Sequence, residues 1–374
     1  MTGVRHRWTL SEFNGALGDT GTLLPLVIGA ITVGGLSATP VLIGFAIAYL
    51  LTGLVYRLPV PVQPMKAIAA LIVVGEISPD AVALSGVMMG AVLVILGATG
   101  AINRLARLVP RSIIAGLRLG LGASLAWVAT GLMMGEFGLA TASLALLTIA
   151  RIVKAPSALL LLVAGFGIAA FSGASTVHVE GPQTLLWILS LDLSLVSDTL
   201  TDLVLPQLAL TLTNAVILTA LVAGDLFGNN AAHVTPRRLC LTSGAMNCAL
   251  APFGALPMCH GAGGLAAHHA FGARSGAAAL MMACLLVLAA LAADTSTSLL
   301  SRFPDSVLGV MLLVAAIELA KDRRLTDSRP SCYPVIAITA LTCVVLDPFA
   351  GLLAGTVTEV LRKLVLRLIP LREP

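Results

Sequence analysis

Charge is scarce in this sequence. Only 11% of its 374 residues are Asp, Glu, Lys or Arg, where a soluble domain carries about a quarter. So few charges exclude a surface that faces water on all sides, and the chain must instead face lipid. Polar runs are missing as well, apart from one near 320–331, so no soluble domain is expected at either end. The stretch Met1–Trp8 is short and basic and leads into an apolar segment without a small-residue cleavage signal. Cysteines at redox or metal spacing are absent: none of the six forms a CxxC pair, so neither a disulfide framework nor a zinc site is expected. Five of them read as small hydrophobes within or beside apolar segments. His268 and His269, taken with Cys259 and His260, match no common zinc spacing. HExxH, Walker, GxSxG and nucleic-acid motifs are also lacking. An enzyme, a cofactor, a metal centre and a nucleic-acid partner are therefore not expected.

What remains is hydrophobic. Apolar residues make up 58% of the chain. Apolar segments run roughly 13–36, 38–56, 64–76, 80–101, 111–134, 139–153 and 157–172, then 203–224, 236–253, 258–271, 275–293, 304–320, 332–346 and 349–369, with a linker at 173–202. A spanning helix needs roughly 20 residues, so this pattern predicts an all-α polytopic membrane protein of about 14 segments, seven on each side of the linker. With a cytoplasmic N-terminus, 19 of the 22 Lys and Arg fall on the inner side, Arg302 falls outside, and Lys66 and Arg118 lie within segments. The linker instead holds Glu180, Asp192, Asp198 and Asp202. That bias predicts cytoplasmic termini and an extracytoplasmic linker.

Pro-Met opens the short third segment of each half, as Pro64-Met65 and Pro257-Met258. An odd number of segments per half inserts the second half from the opposite side, the arithmetic of an inverted repeat. Pro59, Pro61 and Pro64, and likewise Pro252 and Pro257, forbid regular helix. Extended backbone at membrane depth is tolerated only inside protein or beside a watery cavity. Each stretch is thus expected to feed a half-helix starting near the midplane, with Pro64 as the first helical residue.

A half-helix N-terminus offers free N–H groups and partial positive charge to an anion. The expected contacts are Gln63, Pro64, Met65 and Lys66 at the first half-helix, and Met258, Cys259, His260, Gly261 and Ala262 at the second. Gln63 would cap the first helix and donate to the ligand, and Lys66 adds full charge. Gly263 and Gly264 permit either close helix packing or ligand approach. Asn14 and Asn214 are further candidates from segments one and eight, although interhelical hydrogen bonding suits Asn214 equally. Asp19, as a partner of Lys66 or a proton carrier, and His260 are the proton-coupling candidates. Arg118 and Glu359 are expected simply to reach the surface.

The stretches FNGALGDTGTLLPL, PVPVQPMKA and VTPRRLCLTSGAMNCALAPFGALPMCHGAGGLAAHHAFGARSG resemble the molybdate transporter family, a branch related to the sulfate permeases, over residues 12 to about 320. The resemblance implies a seven-plus-seven inverted repeat of the kind shared with uracil permease, with a substrate site between segments three and ten. It implies a core of 13–101 and 203–293, a gate of 111–172 and 304–369, and 1–12 as a cytoplasmic N-terminus. The implied substrate is molybdate or sulfate, carried by alternating access with protons as coupling ion. The implied setting is the inner membrane of a bacterium, and a homodimer is common in the superfamily. A nucleobase permease on the same fold and an anion channel are the alternatives. The first needs acidic side chains at the half-helix starts, and the sequence has none there.

Overall fold

The structure is a computed structural model that describes residues 6–75, 77–102, 110–152, 157–171, 193–295, 303–321, 329–346 and 348–368. The chain starts with α1 (Leu10–Ala16), whose first turn is capped by Thr9: its side chain accepts from the Glu12 N–H. A tight turn at Leu17–Asp19 leads into α2 (Thr20–Thr32), and the two helices are bent by 51°. The helix α3 (Ala38–Tyr56) ends at Arg57, which takes a left-handed φ of 52°. There the prolines act. From Leu58 to Val62 no helix forms, and β1 (Gln63–Pro64) follows. Pro64 thus lies in the strand rather than opening a helix, because its carbonyl and ring are held in the extended segment. The helix α4 (Lys66–Val74) begins two residues later.

Next come α5 (Pro79–Thr99), α6 (Arg111–Met134), α7 (Phe137–Ile152) and α8 (Ser157–Phe171). Ser78 caps α5 through the Ala81 N–H, with Pro79 in the first turn, where no N–H is needed. The eighth segment is a continuous rod of α9 (Leu193–Asp198), a π-helical stretch (Thr199–Val204), α10 (Leu205–Leu210), a second π-helical stretch (Thr211–Leu218) and α11 (Thr219–Phe227). It starts ten residues before the apolar run at 203, within the stretch expected to link the halves; the first part of that stretch, 173–192, lies outside the described residues.

The helix α12 (Pro236–Leu250) is followed by a tight turn at Ala251–Phe253 and by Gly254 at φ 86°. The second break is therefore extended only after Gly254. Then follow β2 (Met258–Cys259), α13 (Ala262–Ala270), α14 (Ala277–Thr295), α15 (Asp305–Ala320), α16 (Tyr333–Val345) and α17 (Pro348–Leu368).

The strands β1 and β2 pair antiparallel, Gln63 opposite Cys259 and Pro64 opposite Met258. The Met65 N–H extends the contact to the Pro257 carbonyl at 2.8 Å. The helices α4 and α13 leave this ladder with nine residues each, about 13 Å of helix and well short of a bilayer core of about 30 Å.

Among the described residues, four helices are long and apolar enough to cross a membrane, Ala38–Tyr56, Pro79–Thr99, Arg111–Met134 and Ser194–Ala231, and the bent pair at the N-terminus makes a fifth if taken as one span. Shorter apolar helices occupy other predicted segments, among them Phe137–Ile152 and Asp305–Ile317. Trp127 (83% exposed), Phe171 (94%) and Leu288 (62%) stand on the outside, an arrangement suited to lipid rather than water. The chain is an integral membrane protein of helical build.

Two buried apolar clusters organise the interior. One joins Phe45, Tyr49, Tyr56, Met89, Leu93, Leu239, Leu265 and Met282; the other joins Ile114, Leu121, Leu125, Phe303, Met311 and Leu312. The helices α2 and α4 contribute to both: Leu23, Val27, Ile68 and Ile72 face the first, and Leu26, Ile28, Ala67 and Val73 the second. The half-helix α4 therefore sits on the boundary between two separately packed bodies of side chains.

Candidate functional site

A cavity of about 510 Å³ opens at the starts of α4 and α13. Gln63, Pro64 and Lys66 line it from one side, and Cys259, His260, Gly261, Ala262 and Gly263 from the other. Gly18 and Thr22 border it, as do Gln207, Leu210, Thr211, Ala215 and Leu218 of the eighth-segment rod. Arg118 and Lys321 also line it, and the Arg118 guanidinium donates to the Lys321 carbonyl at 3.1 Å. Arg118 thus faces the cavity rather than simply snorkelling to the surface. Three cations and no carboxylate are found among the described lining residues.

The two helix starts differ. At α4 the side-chain Oε1 of Gln207 accepts from the Ala67 N–H at 2.8 Å and the Ile68 N–H at 3.4 Å, while its Nε2 donates to Thr211 Oγ1 at 2.8 Å. Gln207, from the rod, is therefore the cap expected of Gln63. The residue at the cap position is Met65, in extended geometry and without a side-chain bond. Gln63 is turned the other way and donates from Nε2 to Asp19 Oδ1 at 2.5 Å. At α13 the cap residue is Gly261, again without a side-chain bond. The first-turn N–H groups of a helix have no partner within it, and here those of Ala262 and Gly263 belong to residues on the cavity wall.

The glycines separate by role. A Cβ on Gly263 would meet nothing within 4 Å, whereas one on Gly264 would strike Gln63 Nε2 at 2.5 Å and Asp19 Oδ2 at 2.6 Å. Gly261 likewise leaves room for Gln63 Oε1. Gly18 lets the turn before α2 close on α13, where a Cβ would lie 2.8 Å from the Ala267 carbonyl.

His260 is buried with both ring nitrogens engaged: Nδ1 with the Pro61 carbonyl at 3.0 Å and Nε2 with Thr242 Oγ1 at 2.8 Å. A carbonyl only accepts, so Nδ1 carries a proton. Tyr56 packs edge-on to the ring at 5.6 Å, and its hydroxyl meets Thr242 at 2.7 Å. These bonds hold the extended strand against α12. Asn247 does the same for β2, donating to the Met258 carbonyl at 2.6 Å and accepting its N–H at 2.9 Å.

Several expected contacts lie elsewhere. Asn14 is exposed and donates to the Phe271 carbonyl at 2.8 Å, which ties α1 to the far end of α13. Met65 and Met258 are buried in the apolar cluster behind the ladder and are not on the cavity wall. Asn214 is on the second π-helical stretch, between the wall residues Thr211 and Ala215; its side chain is outside the described residues. Glu359 does not reach out to the surface: it is buried and takes two hydrogen bonds from Arg362 (2.9 and 2.8 Å) and one from Ser112 at 3.3 Å. The Pro-Met dipeptides are 193 residues apart, but the helix starts at Lys66 and Ala262 are 196 apart. Cys259, His260 and Gly261 intervene in the second half, so the dipeptides are not structurally equivalent.

The profile of a family described as molybdate transporter of the MFS superfamily matches residues 11–125 and 199–319. The chain belongs to the molybdate transporter family. Molybdate transporter 2 of Arabidopsis thaliana is 30% identical, over 95% of this chain and 87% of that protein. Molybdate transporter 1 of Chlamydomonas reinhardtii is 28% identical, over 95% and 92%. Among solved structures, the transmembrane domain of a cyanobacterium bicarbonate transporter, BicA, aligns with a TM-score of 0.67 at 15% identity, covering 93% of this chain and 98% of that one. The murine anion transporter Slc26a9 in its inward-facing state aligns at 0.69 with 13% identity, over 96% and 69%. At such identities the likeness is one of fold. Within this molybdate transporter family member, Gln207, Arg118 and Lys321 are polar cavity residues that the sequence did not mark as ligand contacts. Gln207 had a signal, an amide inside an apolar run; Lys321 had none beyond its place in a basic loop.

Proposed function

We propose that this chain carries a tetrahedral oxyanion across the membrane, molybdate first and sulfate as its competitor. The observation that carries the reading is the cavity wall, where Lys66, Arg118 and Lys321 meet the start of α13 without a carboxylate among the described lining residues. Fixed N–H dipoles and cations suit a dianion. A nucleobase would want a carboxylate for its own N–H groups, and that reading is correspondingly weaker. The names of the relatives in Arabidopsis and Chlamydomonas point to the same ion.

Transport is read as alternating access between two seven-segment repeats. The contacts that support the repeat are reciprocal. The helix α3 packs on α14, α5 on α12 and α6 on α15, while β1 pairs with β2. A two-fold axis in the membrane plane that exchanges segments two and nine, and four and eleven, would generate this set. The two apolar clusters support a core of 13–101 and 203–293 moving against a gate of 111–172 and 304–369. Arg118 and Lys321 lie on the side that the charge bias makes cytoplasmic, so the cavity is read as open inward. Dianion uptake into a negative cytoplasm costs about 2.3 kcal/mol per charge per 100 mV, so coupling to protons is expected. Asp19, buried beside the cavity and bonded to Gln63, is the preferred carrier. His260 is the second choice, because both of its nitrogens already serve the scaffold.

The test is calorimetric binding of molybdate and sulfate to purified protein, with Lys66→Ala and His260→Ala alongside. Molybdate bound more tightly than sulfate, with binding lost in Lys66→Ala, supports the reading. Folded protein that binds neither ion sinks it and moves the nucleobase permease forward.

A further inference from the structure

We infer that the protonation state of Asp19 decides which end of the Gln63 amide faces the anion, making the pair a proton-linked switch at the site. The inference rests on the oxyanion reading above and supplies its coupling step.

Gln63 and Asp19 are both buried, and the bond between them runs from Nε2 to Oδ1 at 2.5 Å. An ionised carboxylate has no proton to give. It therefore holds the donor end of the amide toward itself and leaves the acceptor end, Oε1, over Gly261 at the start of α13, on the cavity wall. An oxygen lone pair at that place repels an oxyanion. When Asp19 takes up one proton, its O–H becomes a donor, and the favourable partner is Oε1. The amide then turns by half a rotation, and its two N–H groups face the cavity beside Lys66. Proton uptake at Asp19 and anion capture at Gln63 thus become one event. The pocket for the turning amide is made by glycines, since a Cβ on either Gly261 or Gly264 would collide with it.

The titratable and charged groups near the pair come from α1, α3, α4 and α13. From α3 the Tyr49 hydroxyl lies beside the carboxyl. From α13, His268 packs edge-on to Tyr49 and is bonded to the Gly15 carbonyl. Glu12 of α1 accepts the Arg274 backbone N–H at 3.0 Å. Lys66 stands at the head of α4 on the cavity wall.

The experiment measures molybdate binding by calorimetry from about pH 5 to about pH 8 in full-length wild type, Asp19→Asn and Gln63→Met, each checked for folding by size exclusion and thermal unfolding. Wild type should bind more weakly as pH rises, by up to about tenfold per pH unit once Asp19 is ionised. Asparagine at 19 is able to donate to Oε1 at every pH, so Asp19→Asn should bind as tightly as wild type at low pH and show a flat profile. Gln63→Met should bind weakly and also be flat. A Gln63→Met profile that keeps the wild-type slope would mean that Asp19 acts through its charge alone, and would overturn the switch. Wild-type binding that is present but independent of pH overturns the switch and leaves the oxyanion reading standing. No wild-type binding at any pH in folded protein overturns both. If Asp19→Asn does not fold, Gln63→Met decides the matter by itself.

Discussion

Gln207 and Ala67 are 140 residues apart in the chain, yet the Gln207 Oε1 accepts the Ala67 N–H at 2.8 Å. This bond joins the eighth-segment rod to the head of the half-helix α4. It places a neutral oxygen where an anion would otherwise sit, and leaves the start of α13 as the open one. The consequence is testable by charge. Gln207→Leu strips the cap from two buried N–H groups and should cost about 2–6 kcal/mol of stability, at about 1–3 kcal/mol for each. Gln207→Glu supplies a carboxylate at a helix N-terminus, where it is favourable. It should keep the melting temperature and weaken molybdate binding at least about tenfold through like-charge repulsion. Unchanged affinity in Gln207→Glu would remove the head of α4 from the site.

Asn247 holds β2 by both ends of its amide, one to the Met258 N–H and one to the Met258 carbonyl. Replacement by Leu leaves two buried backbone groups without partners. We expect a loss of about 2–6 kcal/mol, since each such group costs about 1–3 kcal/mol. Thermal unfolding in detergent checks this, and a shift within error of zero would show that the ladder stands without the clamp.

Adjacent glycines should respond differently. Gly264→Ala drives a methyl into Gln63 and Asp19, whereas Gly263→Ala enters open space. The first should lower the melting temperature and abolish binding. The second should fold like wild type while narrowing the cavity, seen as a severalfold loss of affinity. Equal melting temperatures for the two variants would contradict the placement of the Gln63 amide.

Arg118 and Lys321 line the cavity, Arg118 half-buried and Lys321 exposed to solvent. Charges at a rim act mainly on the rate of encounter and are screened by salt. In proteoliposome flux assays, Arg118→Gln and Lys321→Gln should raise the KM about three- to tenfold with little change in kcat. The gap from wild type should close at high ionic strength. A salt-independent defect would assign these residues to structure.

A further contact ties the last helix into the bundle. Glu359 joins α17 to α6 through Ser112 and is matched by Arg362 and by Lys363 at 3.5 Å. Glu359→Leu leaves the half-buried Arg362 without its carboxylate and should lower thermal stability. Molybdate affinity should stay within about twofold, because neither Glu359 nor the partners it bonds line the cavity. A large loss of affinity with unchanged stability would show that this contact bears on the site.

Much of the fold was legible in the residues themselves. Low charge and long apolar runs require lipid, whatever the tertiary arrangement. Pro59, Pro61 and Pro64 break helix wherever they stand, and the break, the short half-helix behind it and Lys66 at its head follow from local backbone chemistry. The matched Pro-Met dipeptides also pointed to the two segments that pair in one ladder, although their register proved to be three residues out. Composition cannot sense three added residues, because the strand tolerates them as easily as the loop does.

What the sequence by itself determined is where this protein is apolar, where its helices must break and which family it resembles; each of these depends on a residue and its near neighbours. Only the tertiary structure decided which polar side chains meet. Gln63 had two credible partners, the helix behind it and the ligand before it, and it took a third, Asp19, 44 residues away. Gly263 and Gly264 are chemically identical, and the direction of the α13 backbone alone makes one a wall of the cavity and the other the floor of the amide pocket. Hydrogen-bond partners across a membrane protein interior are chosen by distance and angle, and neither is written in the spacing of residues along the chain.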